Sequence, residues 1–174
     1  MLVKAGRIVE DNFQTVGDSE PLPQGAIIVS LKRFLAERDC LFNREAPLGV
    51  QLEAGESPEA LRGDIGKLAV VVLHIPYFKD GRAFSWARLL RTRLGYKGEV
   101  RLRGHFLIDQ MGFFTRVGVD AFDIAQNITT ADIEAAIHQI SNVYQPSADG
   151  RTTIRDLRAR QSGSAPILSE IPPS

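Results

Sequence analysis

Leu68-Ala69-Val70-Val71-Val72-Leu73-His74-Ile75 is the longest apolar run in the chain, and the segments behind it set the fold class. Eight residues are far too few to span a bilayer, so the run reads as a buried strand. An Asp80-Gly81 turn follows. Ala83, Trp86, Ala87, Leu90 and Leu94 then fall on one helical stripe, which Gly95 stops. Glu99-Val100-Arg101-Leu102-Arg103 begins the next strand. Strand, turn, helix and strand in this order form the unit from which parallel α/β sheets are built.

The same alternation extends in both directions. Ala26-Ile27-Ile28-Val29-Ser30, Leu48-Gly49-Val50-Gln51-Leu52 and Ala121-Phe122-Asp123-Ile124-Ala125 read as further strands, each followed by a helix-compatible segment. Ser57-Pro58-Glu59 starts a helix with a cap, a first-turn proline and an acid at the positive dipole end, although Gly63 and Gly66 keep it short. Thr129 with Asp132 opens another, with Ile133, Ile137, Ile140 and Tyr144 down one face. Arg7 to Asn12 reads as a short strand entering a turn, Gly17 to Gly25 as a proline-containing acidic loop, and nothing periodic follows Tyr144. The expected architecture is one α/β domain over 1–145, of about five βα units in a mainly parallel sheet, with an irregular C-terminal tail over 146–174. The sheet is either a flavodoxin-like open sheet or a partial βα barrel.

The composition bounds the function. The 174 residues are 44% hydrophobic and 24% charged, ordinary values for a globular domain. Lys+Arg 21 against Asp+Glu 21 gives no net charge and argues against nonspecific nucleic-acid binding. One cysteine, Cys40, allows no internal disulfide and no iron–sulfur cluster. The N-terminus has no signal-peptide apolar core, so a cytoplasmic protein without a membrane partner is expected.

Charge is nevertheless uneven. Between Phe78 and Phe122, Lys79, Arg82, Arg88, Arg91, Arg93, Lys97, Arg101, Arg103 and Arg116 face only Asp80, Glu99, Asp109 and Asp120. Ligands of parallel sheets gather beyond the carboxyl ends of strands, which nominates Glu53, Tyr77 to Arg82, His105 with Asp109 and Gln110, and Gln126 with Asn127. Arg82 stands at a helix start, where it and the first amides can meet an anion; turn chemistry alone also explains Asp80-Gly81. The binding candidates are Arg82, Arg88, Arg91 and Gln110, with Arg88 outward and Arg91 at the edge of the stripe. Asp80 and Asp109 are the candidates for proton transfer. His74, His105 and His138 are too dispersed for a metal site, Gly63 and Gly66 make no dinucleotide fingerprint, and no cofactor is implied. Cys40 reads as a small buried hydrophobe. Phe78, Phe84, Trp86, Phe106, Phe113 and Phe114 read mostly as core rather than as a base-stacking surface.

Phe78 to Ser85, Ala87 to Tyr96, Gly98 to Arg101, Asp109-Gln110 and Arg116 to Phe122 together resemble the core of the bacterial domain-of-unknown-function family 934, with no likeness beyond Tyr144. Members are commonly encoded beside assimilatory sulfite reductase and described as oxidoreductases or accessory proteins. The resemblance implies a pathway and no catalytic residues. The single cysteine excludes the sirohaem and iron–sulfur subunit itself. The leading expectation is an accessory protein docking on sulfite reductase or its electron donor through the basic segment. The alternatives are a small-oxyanion enzyme using Arg82 and Asp109, and a pathway scaffold.

Overall fold

The computed structural model describes residues 1–124, 129–138 and 143–161. Among them are eight strands, β1 (Leu2–Lys4), β2 (Arg7–Val9), β3 (Gln14–Thr15), β4 (Ile27–Ser30), β5 (Leu48–Leu52), β6 (Val70–Ile75), β7 (Glu99–Gly104) and β8 (Ala121–Asp123). The helices are α1 (Leu31–Ala36), α2 (Arg38–Phe42), α3 (Arg82–Thr92), α4 (Met111–Val117), α5 (Thr130–His138) and α6 (Ile154–Gln161). All eight strands join one sheet in the order β2-β1-β8-β7-β6-β5-β4-β3. Strands β3 to β8 are parallel to one another, and β1 is antiparallel to both β2 and β8.

The five strands read from the sequence all form. The expectation of about five βα units is corrected in two respects. First, beside β2, which the sequence indicated from Arg7, β1 and β3 add strands of only three and two residues, too short to carry a period. Ala5 and Gly6 both adopt positive φ, the condition for a tight hairpin turn between β1 and β2, in a pair that lacks the usual Asn-Gly signature. Second, β5 is followed by no α-helix. Ser57 caps as expected, its hydroxyl accepting from the Glu59 amide at 3.3 Å, but only the 3-10 turns Pro58–Leu61 and Ile65–Lys67 result.

The parallel strands lie in sequence order with no reversal, so the sheet lacks the switch point of a flavodoxin-like fold. It curls instead, and the chain dictates the curl. Strands β2 and β3 occupy opposite edges, yet only residues 10–13 separate them in sequence. Seven inter-strand spacings would put the edges of a flat sheet about 34 Å apart. Val9 and Gln14, five Cα steps apart, can be separated by at most about 18 Å. Contacts across the curl agree: Arg101 on β7 donates to Asp11 at 2.7 Å, and Arg103 donates to Thr15 on β3 at 2.9 Å. The architecture is a partial βα barrel in which β2 and β3 do not pair.

The curl separates two faces. Outward residues of the strands, such as Val50, Val71, Leu73, Val100 and Leu102, make the main core with Phe34, Ala87, Leu90, Phe114 and Ile133 from the helices. Phe84 stacks on Phe114 with ring centroids 3.8 Å apart, which joins α3 to α4. Inward, Ile28, Val70 and Val72 form a small second cluster with Phe13. Gly49 faces them, and a Cβ there would stand 2.3 Å from a Val70 methyl, so only glycine fits at this layer. Beside the cluster Arg101 is 1% exposed, ion-paired to Glu99 at 2.8 Å and to Asp11 at 2.7 Å, with its guanidinium 5.6 Å from the Phe13 ring.

Several local expectations are corrected. Cys40 is exposed, because α2 is a short surface helix that turns it outward. Phe78 and Phe113 are exposed, while Phe84, Trp86 and Phe106 pack against the core. Tyr144 is 76% exposed and lies beyond α5, so it does not continue the buried face of Ile133. Ile140 falls outside the described residues, as do Gln126 and Asn127. Residues 146–161, expected to be irregular, carry α6 and a bridge from Thr153 to Val143, and Asp149 pairs with Arg116 at 3.2 Å. Thr153 and Asp156 cap α6 reciprocally, an arrangement that needs no apolar period to form.

Replacing Arg101 by Ala removes the cation shared by Glu99 and Asp11 and opens a void in the barrel interior. We expect a loss of about 3–5 kcal/mol in chemical denaturation.

Candidate functional site

Side chains alternate along a strand, so every second residue of β5 to β8 points into the curl. At the carboxyl ends this brings Gln51 and Glu53, His74, Arg103 and Asp123 onto one face. Register sets His74 beside Arg103 and Arg103 beside Asp123. Their hydrogen bonds form a continuous chain. Glu53 Oε2 and His74 Nδ1 are 2.6 Å apart, and Gln51 Nε2 donates to Glu53 Oε1 at 2.6 Å. Arg103 Nη1 donates to Gln51 Oε1 at 2.9 Å, and Arg103 Nε donates to Asp123 Oδ2 at 2.8 Å.

The network is only half-buried, with side-chain exposures of 29% for His74, 22% for Arg103 and 27% for Asp123. Burial works against ionisation of Glu53. Hydrogen bonds with His74 and Gln51, and the positive charges of His74 and Arg103, outweigh that effect and hold its carboxyl below the usual range. Glu53 engages His74 through Nδ1 and leaves Nε2 without a hydrogen-bond partner among the described residues. Above Arg103 and Asp123 lies a cleft of about 410 Å3, bounded by His105, Phe106, Leu107 and Phe78.

The residues nominated from the sequence do not converge. Asp80 and Arg82 do meet, as a closed pair: the guanidinium donates to both carboxylate oxygens at 2.8 and 2.7 Å, and Asp80 also accepts the Arg82 amide at 3.1 Å. The Arg82 hydrogen bond holds the Asp80 carboxyl below its usual range. Arg82 also stacks on Trp86, 5.9 Å from the ring. Asp109 is exposed in a 3-10 turn without a side-chain partner among the described residues, and the Gln110 side chain caps that turn by accepting the Leu107 amide at 3.1 Å. Arg88 faces outward on α3, as expected.

Arg91 is not the free edge charge that the stripe suggested. Its guanidinium donates to the carbonyls of Tyr96 and Gly98 at 2.8 Å, to that of Gly118 at 3.0 Å, and to Asp120. Of the residues that form the chain across the mouth, the strand-end rule found Glu53 alone. Gln51, His74, Arg103 and Asp123 were missed because they lie inside the strands; the available signal was a polar residue at every second position of otherwise apolar runs. No group of three His, Cys, Asp or Glu side chains placed to hold a metal ion occurs among the described residues, and no helix there is long and apolar enough to cross a membrane.

The Glu53 contribution has a definite pH sense. Its folded pKa is lowered, so the stabilisation is present above its usual value of 4.5 and is lost as pH falls through the folded value. Glu53→Gln should cost about 0.5–1 kcal/mol near pH 6 for this half-exposed pair, and progressively less as pH falls below 4.5, by denaturation across a pH series.

Comparison with known proteins gives one match. The family model described as "Bacterial protein of unknown function (DUF934)" matches residues 49–155. No curated protein matches the chain, and no solved structure does. The matched region starts in β5 and ends in α6, so it takes in the whole network at the mouth of the curl and runs past Tyr144, where the resemblance had been expected to end. Since that region is more than half of the chain, the protein belongs to this bacterial family of unknown function.

Proposed function

We propose that the protein is a cytoplasmic accessory protein of assimilatory sulfite reduction, docking on the reductase or its electron donor through the cations of α3 and its flanking loops. The observation that carries the docking is an imbalance of pairing. Arg82, Arg91, Arg101, Arg103 and Arg116 are each held by a carboxylate of the chain. Lys79, Arg88, Arg93 and Lys97 are exposed and have no ion-pair partner among the described residues. A neutral protein thereby presents a local positive surface, which steers an acidic partner mainly through its association rate. The resemblance of residues 78–122 to a family whose members are commonly encoded beside assimilatory sulfite reductase supports the pathway.

Oxyanion binding by Arg82 with Asp109 has less support, since Asp80 already occupies the guanidinium fork that an oxyanion would need. A scaffold would use the same positive surface and differs only in holding two partners at once.

Arg88→Glu combined with Arg93→Glu should slow association with purified sulfite reductase or its electron donor by about tenfold at low salt, with the gap closing as salt rises. Stopped-flow rates that are equal for both proteins across the salt series would refute docking by this surface. Arg82→Ala should leave calorimetric titrations with sulfite, sulfate and phosphate unchanged from the wild type, whereas a saturable signal lost in the variant would restore the oxyanion reading.

A further inference from the structure

The mouth of the curl has a ligand chemistry separate from the docking surface. Arg103 is the fixed point. Bonds from Nε to Asp123 and from Nη1 to Gln51 and Thr15 lock the guanidinium plane, while Nη2 has no partner among the described residues. An arginine whose plane is fixed through Nε and Nη1, with Nη2 left over on a residue that lines a cleft, is pre-organised for an anion.

Glu53 holds His74 by Nδ1, and the opposite edge of the ring turns toward Gly104: His74 Cδ2, bonded to Nε2, lies 3.1 Å from where a Gly104 Cβ would stand. Gly104 itself lines the cleft. It has φ +112, and a Cβ there would come 2.2 Å from the Ile75 carbonyl oxygen, so the backbone requires glycine and this part of the wall stays bare. His105, also lining the cleft, is exposed and has no side-chain partner among the described residues.

The rest of the wall is apolar. Phe78 is 50% exposed and Leu107 47% exposed, on the loops that follow β6 and β7, and half-buried Phe106 lies between the cleft and the core. Large apolar side chains left open to solvent around a few convergent polar groups mark a small-molecule site. The cleft, about 410 Å3, suits a molecule of modest size.

Charge selects the head group. The Met1 ammonium lies 3.6 Å from Asp123, so it and Arg103 together balance the carboxylates of Asp123 and Glu53, and the one donor group left over at Nη2 meets a single negative charge better than a double one. We infer that the mouth of the curl binds a small organic monoanion, a carboxylate or sulfonate, with its charged head on Arg103 Nη2 and its apolar or aromatic body against Phe78 and Leu107.

The test is calorimetric and saturation-transfer titration of the full chain with benzoate, benzenesulfonate, benzyl alcohol and, at pH 8, phenyl phosphate. At least one of benzoate and benzenesulfonate should saturate at low millimolar concentration, with the neutral alcohol and the dianionic phosphate each at least about tenfold weaker. Arg103→Lys, which keeps the charge and loses the planar guanidinium with its Nη2 donor, should weaken the binding anion by about tenfold. Phe78→Ala, at an exposed position that the core does not need, should weaken it by about threefold. Absence of saturable binding by both monoanions overturns the proposal. So does an alcohol or phosphate that binds as well as the monoanions, or a Phe78→Ala variant that binds with unchanged affinity. If Arg103→Lys does not fold, these three readouts still decide it; if it folds and binds like the wild type, the assignment of the head group to Arg103 is wrong.

Discussion

Val9 and Gln14 stand on opposite edges of an eight-stranded sheet, and four residues join them. That tether forces the sheet to curl, because the flat arrangement is longer than the chain can reach. It also passes over the interior that the curl creates. Asp11 and Phe13 belong to it, and they supply one counter-charge and the aromatic face for Arg101. A fully buried guanidinium is tolerable only with its charge matched, so the tether and Arg101 depend on each other. Glu99, which also pairs with Lys4 on β1, extends the same interior network to the far side of the sheet.

The two ends of the curl use arginine in opposite ways. Near the start of β7, Arg91 ties α3 to the loop before β7 and to the turn after α4, through three carbonyls and Asp120. Asp120 in turn accepts the Val100 amide at 2.8 Å, so the guanidinium closes a set of backbone ends that helices and strands leave open. Near the end of β7, Arg103 is bound through Nε and Nη1 only and sits among groups still reached by water. In barrels of this construction the amino-end face serves stability and the carboxyl-end face serves binding. Saturation of Arg91 and incomplete saturation of Arg103 follow that division.

Much of this was legible from residue patterns, and the limits are physical. The central strands could be read because β6 is buried on both faces and therefore apolar nearly throughout, and α3 because its stripe keeps helical spacing. The curl could not be read: β1, β2 and β3 are two or three residues long, and what matters about them is which edge each joins, a property of pairing rather than of composition. The local pair of Asp80 and Arg82 was foreseeable from turn chemistry. The role of Arg91 was not, because its acceptors are carbonyls, which leave no mark in a sequence. Cys40 was misjudged for a related reason: a helix of five residues exposes most of what it carries.

The inner face also explains why a neutral chain has a basic middle. Interior positions near the middle and end of β7 hold Arg101 and Arg103, and their carboxylates come from elsewhere: Asp11 from the tether, Asp123 from β8, and Glu99 from the first residue of β7. A window over 78–122 counts these arginines but omits Asp11 and Asp123, so it overstates the positive charge that a partner would meet. Once paired groups are set aside, the excess contracts to Lys79, Arg88, Arg93 and Lys97, on α3 and the loops at its two ends. Those four cost little in folding, since exposed charges stay hydrated, and nothing in the described packing requires them to be positive. Charge that the fold does not need is the part most open to use by a partner, whereas the interior arginines are fixed by the curl itself.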